Sequence, residues 1–134
     1  MFNRVQIEDE DTMSQCFLWR NMNTKSPPTI YQMKSMLFGI NSSPFMAQFV
    51  KNYNAEKFKD INPAATEAII RNHYVDDYLD SKDSIEAAVQ IILDVIDIHK
   101  HAGFEIRNFI SNNTEVLEQL PAEVRSESMR AVLG

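Results

Sequence analysis

Between Tyr74 and Leu79 the chain reads Tyr-Val-Asp-Asp-Tyr-Leu, and few local structures accept such a string. Tyr74, Val75, Tyr78 and Leu79 favour a strand. The two aspartates between them disfavour a strand and favour a turn. A tight hairpin with Asp76 and Asp77 at its tip satisfies both preferences. Neighbouring carboxylates repel each other, and partial burial raises the cost. A divalent cation removes it, and Mg²⁺ accepts carboxylate oxygens together with substrate phosphates while keeping some of its water. An Asp-Asp pair by itself is more often a solvated turn than a metal site. The apolar flanks, and the further acid Asp80 that follows at once, shift the balance toward metal.

The elements around the hairpin follow from periodicity and punctuation. Arg4 to Ile7 alternate and read as a short strand, followed by a solvated acidic turn over Glu8 to Asp11. Cys16 to Trp19 form a second strand, Asn21 to Pro28 a loop, and Thr29 to Phe38 a third strand. Ser43 is placed to cap a helix that has Pro44 in its first position and Met46, Phe49, Val50 and Tyr53 on one stripe. Asn62 and Pro63 repeat the signal for a shorter helix ending near Ile70. Asp83 and Glu86 form a capping-box pattern. After it Ile85, Ala88, Val89, Ile92, Val95 and Ile96 line one face of a long helix that Gly103 stops. Phe104 to Ile110 predict a returning strand, residues 111–130 loop and weak helix, and Ala131 to Leu133 the start of another strand. This order predicts an α+β architecture: an antiparallel sheet backed by helices, with the acidic hairpin central.

Composition limits function. The 134 residues suffice for one domain, and 44% hydrophobic with 24% charged residues is ordinary for a folded chain. No apolar run approaches the roughly 20 residues that span a bilayer, so no membrane partner is expected. Asp and Glu number 19 against 13 Lys and Arg, whereas a protein that grips nucleic acid by its own surface usually carries a basic face. The single cysteine, Cys16, excludes an internal disulfide and reads as a buried thiol in an apolar strand. His73, His99 and His101 lack a metal-ligand spacing; His99 and His101, two apart on a helix, do not face one another.

Taken together, the blocks resemble a known family. Tyr74-Val75-Asp76-Asp77 is similar to the Tyr-x-Asp-Asp signature of reverse transcriptases, and Asn72 to Ser81 resembles its form in BEL/Pao-type retrotransposons. Met1 to Ile7 resembles the strand after the first catalytic aspartate, and Phe17 to Arg20 the next strand. Phe38-Gly39-Ile40-Asn41-Ser42-Ser43-Pro44 resembles the Phe-Gly-x-x-x-Ser-Pro loop. Ala102 to Asn108 resembles the block after the catalytic hairpin, and Val132-Leu133-Gly134 the opening of the primer grip. The ordered series spans essentially all of residues 1–134.

The resemblance implies a reverse-transcriptase palm, truncated at both ends, from an RNA-directed DNA polymerase. In the complete enzyme two Mg²⁺ ions would assist attack of a primer 3′-hydroxyl on a deoxynucleotide. Asp76 would be the principal catalytic metal ligand of the hairpin and Asp77 the weaker one. Tyr74 and Val75 would shape the tip beside the primer end. Phe2 would be the ring that excludes a 2′-hydroxyl, and Gly39 would allow close approach of nucleotide or template. Partners would be a primed RNA or DNA template, deoxynucleotides, and the fingers and thumb of the polyprotein, in an intracellular particle. Departures accompany the match. The family's first catalytic aspartate would stand four residues before Met1, and Asn108 occupies a position where the family often has lysine. The missing aspartate, the missing thumb and the acidic charge support a rival reading, a catalytically inactive retrotransposon remnant whose activity, if any, is association with another chain.

Overall fold

The computed structural model describes residues 2–126 of the 134. They form two compact units, divided between Ala47 and Gln48. The α+β expectation holds. In chain order come β1 (Cys16–Trp19), β2 (Thr29–Gln32), α1 (Ser43–Glu56), α2 (Pro63–Arg71), β3 (His73–Tyr74), β4 (Asp77–Tyr78), α3 (Ile85–His101) and α4 (Thr114–Gln119). Short 3-10 turns lie at Phe2–Arg4, Asp9–Gln15 and Ala122–Val124.

In the first unit, β1 and β2 pair antiparallel with Phe17 opposite Tyr31 and Leu18 opposite Ile30. The Phe17 and Tyr31 rings stack at 5.6 Å. The strand expected over Arg4 to Ile7 shrinks to a single bridge, Gln6 to Ser35, with Ile7 N–H donating to Lys34 O and Met36 N–H to Val5 O. Phe2 and Asn3 turn instead, and the Phe2 ring meets Phe38 edge-on at 5.4 Å. The acidic run does not end as a turn but opens the 3-10 turn Asp9–Gln15, with all three of its acids in the first turn, where the partial positive end of a helix favours them. Cys16 is exposed rather than buried, because every residue of the two-stranded ribbon is exposed.

Ser43 begins α1 but does not cap it. Its hydroxyl donates to Leu37 O at 2.6 Å and is buried, while Met46 N–H reaches Ser42 O. The face that α1 buries is also the opposite of the one expected. Ser43, Ala47, Lys51, Asn54 and Ala55 are buried, whereas Phe49 is 55% and Tyr53 60% exposed, with Met46 exposed beside them. Within the second unit, groups on the buried face find acceptors or donors in the other helices. Lys51 Nζ donates to Ile69 O at 2.9 Å, Asn54 Nδ2 to Ile98 O at 2.8 Å, and Ala55 O accepts from Thr66 Oγ1 at 3.1 Å. Small residues let these helices approach closely, and satisfied polar groups are tolerated inside.

The second unit holds the main core. Ala55, Ala65, Ala68 and Ile69 pack on Ile91, Val95 and Ile98 of α3. A second cluster joins Ile96 to Leu117, Leu120 and Val124. Of the stripe expected on α3, Val95 and Ile96 are buried and Ile85, Ala88, Val89 and Ile92 half-buried, while Ile91 and Ile98, outside that stripe, complete the core. Asn62 caps α2, its Oδ1 accepting from Ala65 N–H at 3.1 Å. The α3 cap is Ser84 rather than Asp83: Ser84 Oγ accepts from Ala87 N–H, one residue nearer the helix. Gly103, at φ +70°, ends α3 as expected. The strand expected over Phe104 to Ile110 forms only a parallel bridge from Phe109 to Arg125. The strand expected over Ala131 to Leu133 lies outside the described residues. Among the described residues the strands form two separate two-stranded sheets, not one sheet with the acidic hairpin at its centre. Strands of two residues each have too little edge to recruit a further partner.

Candidate functional site

The acidic hairpin forms. β3 and β4 pair antiparallel with His73 opposite Tyr78 and Tyr74 opposite Asp77, and Leu79 N–H donates to Asn72 O at 2.9 Å. The tip is therefore Val75–Asp76, and Asp77 opens the returning strand. Both carboxylates are exposed. Period-2 alternation decides which neighbours turn inward. His73 and Tyr78 are half-buried, whereas Tyr74 lies on the outer face at 75% exposure, so the strand-packing role open to it is not taken. Val75 adopts φ +58°. A two-residue hairpin loop with positive φ at its first position ordinarily carries glycine, and a β-branched residue there is a genuine outlier. Gln48 of α1 donates its side-chain amide to Val75 O and holds the turn from one side.

Asp80 does not add free charge to the pair. Its carboxylate accepts from Tyr78 Oη at 2.7 Å, from Ser81 N–H at 2.7 Å and from Lys82 Nζ at 2.9 Å. Burial pushes the Asp80 carboxyl up, but the Tyr78, Lys82 and Ser81 hydrogen bonds and the Lys82 charge outweigh it, and the group titrates below its ordinary value. Burial first, then the Asp80 hydrogen bond and charge, raise the Tyr78 phenol above its own. This knot locks the base of β4 and leaves Asp76 and Asp77 as the accessible acids of the hairpin.

Beneath the hairpin lies a basic cluster that motif reasoning passed over. Lys51 is 2% exposed, and burial lowers its ammonium to about 8. The His73 ring stacks on His99 at 5.1 Å and meets Tyr78 at 5.1 Å. The histidines have no metal-ligand spacing; their importance is spatial and has no sequential signature. Lys51 did have one. Ser43, Ala47, Lys51 and Ala55 recur every four residues, a small-residue stripe on the face opposite the aromatics.

The remaining expected site residues fall in the first unit or apart from the hairpin. Phe2 is half-buried against Phe38, the residue before Gly39, so the two positions expected to face a nucleotide come from segments that meet. Gly39 has φ +97°, and a Cβ there would meet nothing within 4 Å; backbone conformation, not space, calls for glycine. Asn108 is exposed at φ +61°, a conformation asparagine tolerates. An open groove of about 730 Å³ lies along the hairpin base, lined among others by Tyr78, Asp80, Lys82, Ile85, Phe109 and Val116. Asp76 and Asp77 do not line it.

Asp76 and Asp77 fit Mg²⁺ in kind. They are hard oxygen donors with open faces, and this ion commonly takes one or two protein carboxylates and completes its shell with water and substrate phosphates. Among the described residues no group of three or more His, Cys, Asp or Glu side chains is arranged to hold a metal. No helix among the described residues is long and apolar enough to cross a membrane. No family model, curated protein or solved structure matches the chain.

Proposed function

We propose that the chain is the palm segment of a BEL/Pao-type reverse transcriptase, an RNA-directed DNA polymerase, in which Asp76 and Asp77 hold the catalytic Mg²⁺ ions. The observation that carries this reading is the hairpin itself: two adjacent exposed carboxylates, one in a strained, externally braced turn and the next opening the returning strand, with the nearby Asp80 tied off by its own donors. Strain maintained by surrounding structure clusters at functional sites. A rigid tip presents its acids without the reorganisation that a solvated loop would undergo. Asp76 and Asp77 would hold the ions, which would supply charge stabilisation for phosphoryl transfer. Asp76, at the turn, serves as the principal ligand and Asp77, one strand position on, as the weaker. Tyr74, exposed next to the tip, offers a ring to the primer end. By the same resemblance, the Phe2 position is the one that excludes a 2′-hydroxyl and the Gly39 position the one that admits nucleotide or template.

The test is primer extension on an RNA template with Mg²⁺, using the chain within a polymerase carrying fingers and thumb. Asp76→Asn keeps the shape and removes the charge, so incorporation falls by about 100- to 1,000-fold, the scale of losing a principal electrostatic contact. Phe2→Ala retains activity and admits ribonucleotides. Undiminished extension by Asp76→Asn defeats the assignment.

A second reading has its own support. Leu18, Trp19, Ile30 and Tyr31 on the β1–β2 ribbon are exposed, as surfaces that associate with another chain are. On this reading the chain is a non-catalytic remnant acting by association, and neither substitution changes any measured activity.

A further inference from the structure

We propose that Lys51, His73 and His99 form a proton-sensitive latch, which holds the acidic hairpin on its helices while both imidazoles are neutral and frees it when either gains a proton. The inference is independent of the polymerase reading.

The cluster joins the elements that carry the hairpin. Lys51 comes from α1, His73 is the first residue of β3, and His99 lies in the last turn of α3. The two rings stack at 5.1 Å with 23° between their planes. His99 Nδ1 lies 2.8 Å from Val95 O; a carbonyl only accepts, which places a proton on Nδ1 and leaves Nε2 to titrate. His73 Nδ1 and Nε2 are both buried with no hydrogen-bond partner. The Ala68 and Ile69 carbonyls nearby would offset only part of the cost of an added charge on such buried nitrogens.

The groups that face the pair reinforce this. From α1 comes the Lys51 ammonium, a like charge. α2 contributes only the Ala68 and Ile69 backbone, and Ile69 O already accepts from Lys51. β4 contributes Tyr78, whose hydroxyl is committed to Asp80. Beyond α3, Phe104 packs on His99. Among the described residues neither imidazole forms an ion pair with a carboxylate.

The direction of the pH effect follows. Burial, then Lys51 and His99, lower His73 to about 3, the nearby Ala68 and Ile69 carbonyls offsetting only part of this. Burial, with Lys51, lowers His99 as well, against the Val95 carbonyl. A released imidazole titrates near 6.5. The released state therefore binds more protons, so latching is complete above about pH 6.5 and is lost as pH falls toward the latched values. Because His73 pairs with Tyr78 across the hairpin, release of its ring opens the register and the Leu79 N–H to Asn72 O bond next to it.

Amide hydrogen exchange of the full 134-residue chain, followed by NMR from pH 7.5 to 5 and corrected for intrinsic rates, tests the latch. Protection of the Leu79 amide should fall about 30-fold for a single imidazole of released pKa near 6.5, while the Val95 amide in α3 keeps its protection. In His73→Phe with His99→Gln the Leu79 protection should stay level over that range. The imidazole Cε1–H shifts of the unsubstituted chain give a readout that needs no variant. In the closed state the His73 ring should stay neutral down to pH 5, and the His99 ring should titrate below its ordinary value. Level Leu79 protection in the unsubstituted chain overturns the proposal. So does an unchanged pH dependence in the double variant, or either ring titrating near 6.5 with the hairpin closed.

Discussion

Val75 carries the clearest local cost in the chain. At φ +58° an L-residue brings its Cβ against the following carbonyl oxygen, at roughly 1–2 kcal/mol. Glycine escapes that clash but loses about 0.5–1 kcal/mol of chain entropy. Val75→Gly should therefore stabilise the fold by about 0.5 kcal/mol, as a shift of the urea midpoint at constant slope; a loss of stability would show that the valine side chain contributes more by packing than its conformation costs. Lys51 presents the opposite problem, a buried cation that donates to the Ile69 carbonyl. Its ammonium is lowered to about 8 in the folded state and titrates near 10.4 when unfolded. Between those values the unfolded chain holds more protons, so stability rises as pH increases from about 8 to 10.5. The gain should be on the order of 2 kcal/mol and absent from Lys51→Met, with denaturant titrations at the two pH values as the measurement.

The helices show how far local signals reach. Asn62 and Pro63 mark the start of α2 because the chemistry is contained within four residues: one side-chain oxygen, one orphan N–H, one preset φ. Asn62→Ala should cost about 1 kcal/mol in thermal or chemical unfolding, and Asn62→Asp should restore most of it. In α1 the local signal misleads. Phe49, Tyr53 and their neighbours form the stronger apolar stripe, yet the helix turns its small and polar stripe inward. The aromatic face is not bare of interactions: Phe49 and Tyr53 stack at 6.2 Å, and Lys57 Nζ lies 4.7 Å over the Tyr53 ring. Periodicity reveals that a helix has two faces. Which one is buried depends on what lies across it, and here Ile69 O and Ile98 O select Lys51 and Asn54.

At the scale of the molecule, the two units differ in how they are held. The second has two apolar clusters built on α3 and an arginine, Arg125, whose guanidinium closes α4 by donating to Leu120 O and Glu118 O. The first relies on a two-stranded ribbon, and an isolated hairpin of that kind is marginal in water. Its apolar cross-strand pair Leu18–Ile30 is exposed. Replacing the pair by Leu18→Glu with Ile30→Lys keeps a favourable cross-strand partner and removes apolar surface that drives association. Sedimentation should show less self-association than in the unsubstituted chain, with the unfolding midpoint of the second unit unchanged. Equal association in both proteins would place the sticky surface elsewhere.

The sequence by itself determined whatever closes over a few residues. The Asp76–Asp77 hairpin, the caps and length of α2, the buried stripe and glycine stop of α3, and the ribbon strand Cys16–Trp19 all rest on propensity, alternation or a cap whose partners are neighbours in the chain. The resemblance that motivates the polymerase proposal is of the same local kind, a series of short blocks in order. Only the tertiary structure decided the rest. It reduced the strands near Val5 and Phe109 to single bridges, because a strand exists only where a partner edge is presented. It turned α1 over, exposed Cys16, and tied Asp80 to Tyr78 and Lys82. It also brought Lys51, His73 and His99 together from three elements. Each of these outcomes depends on which distant groups come within hydrogen-bond or van der Waals range, and that distance is set by the packing of whole elements rather than by the order of residues along any one of them.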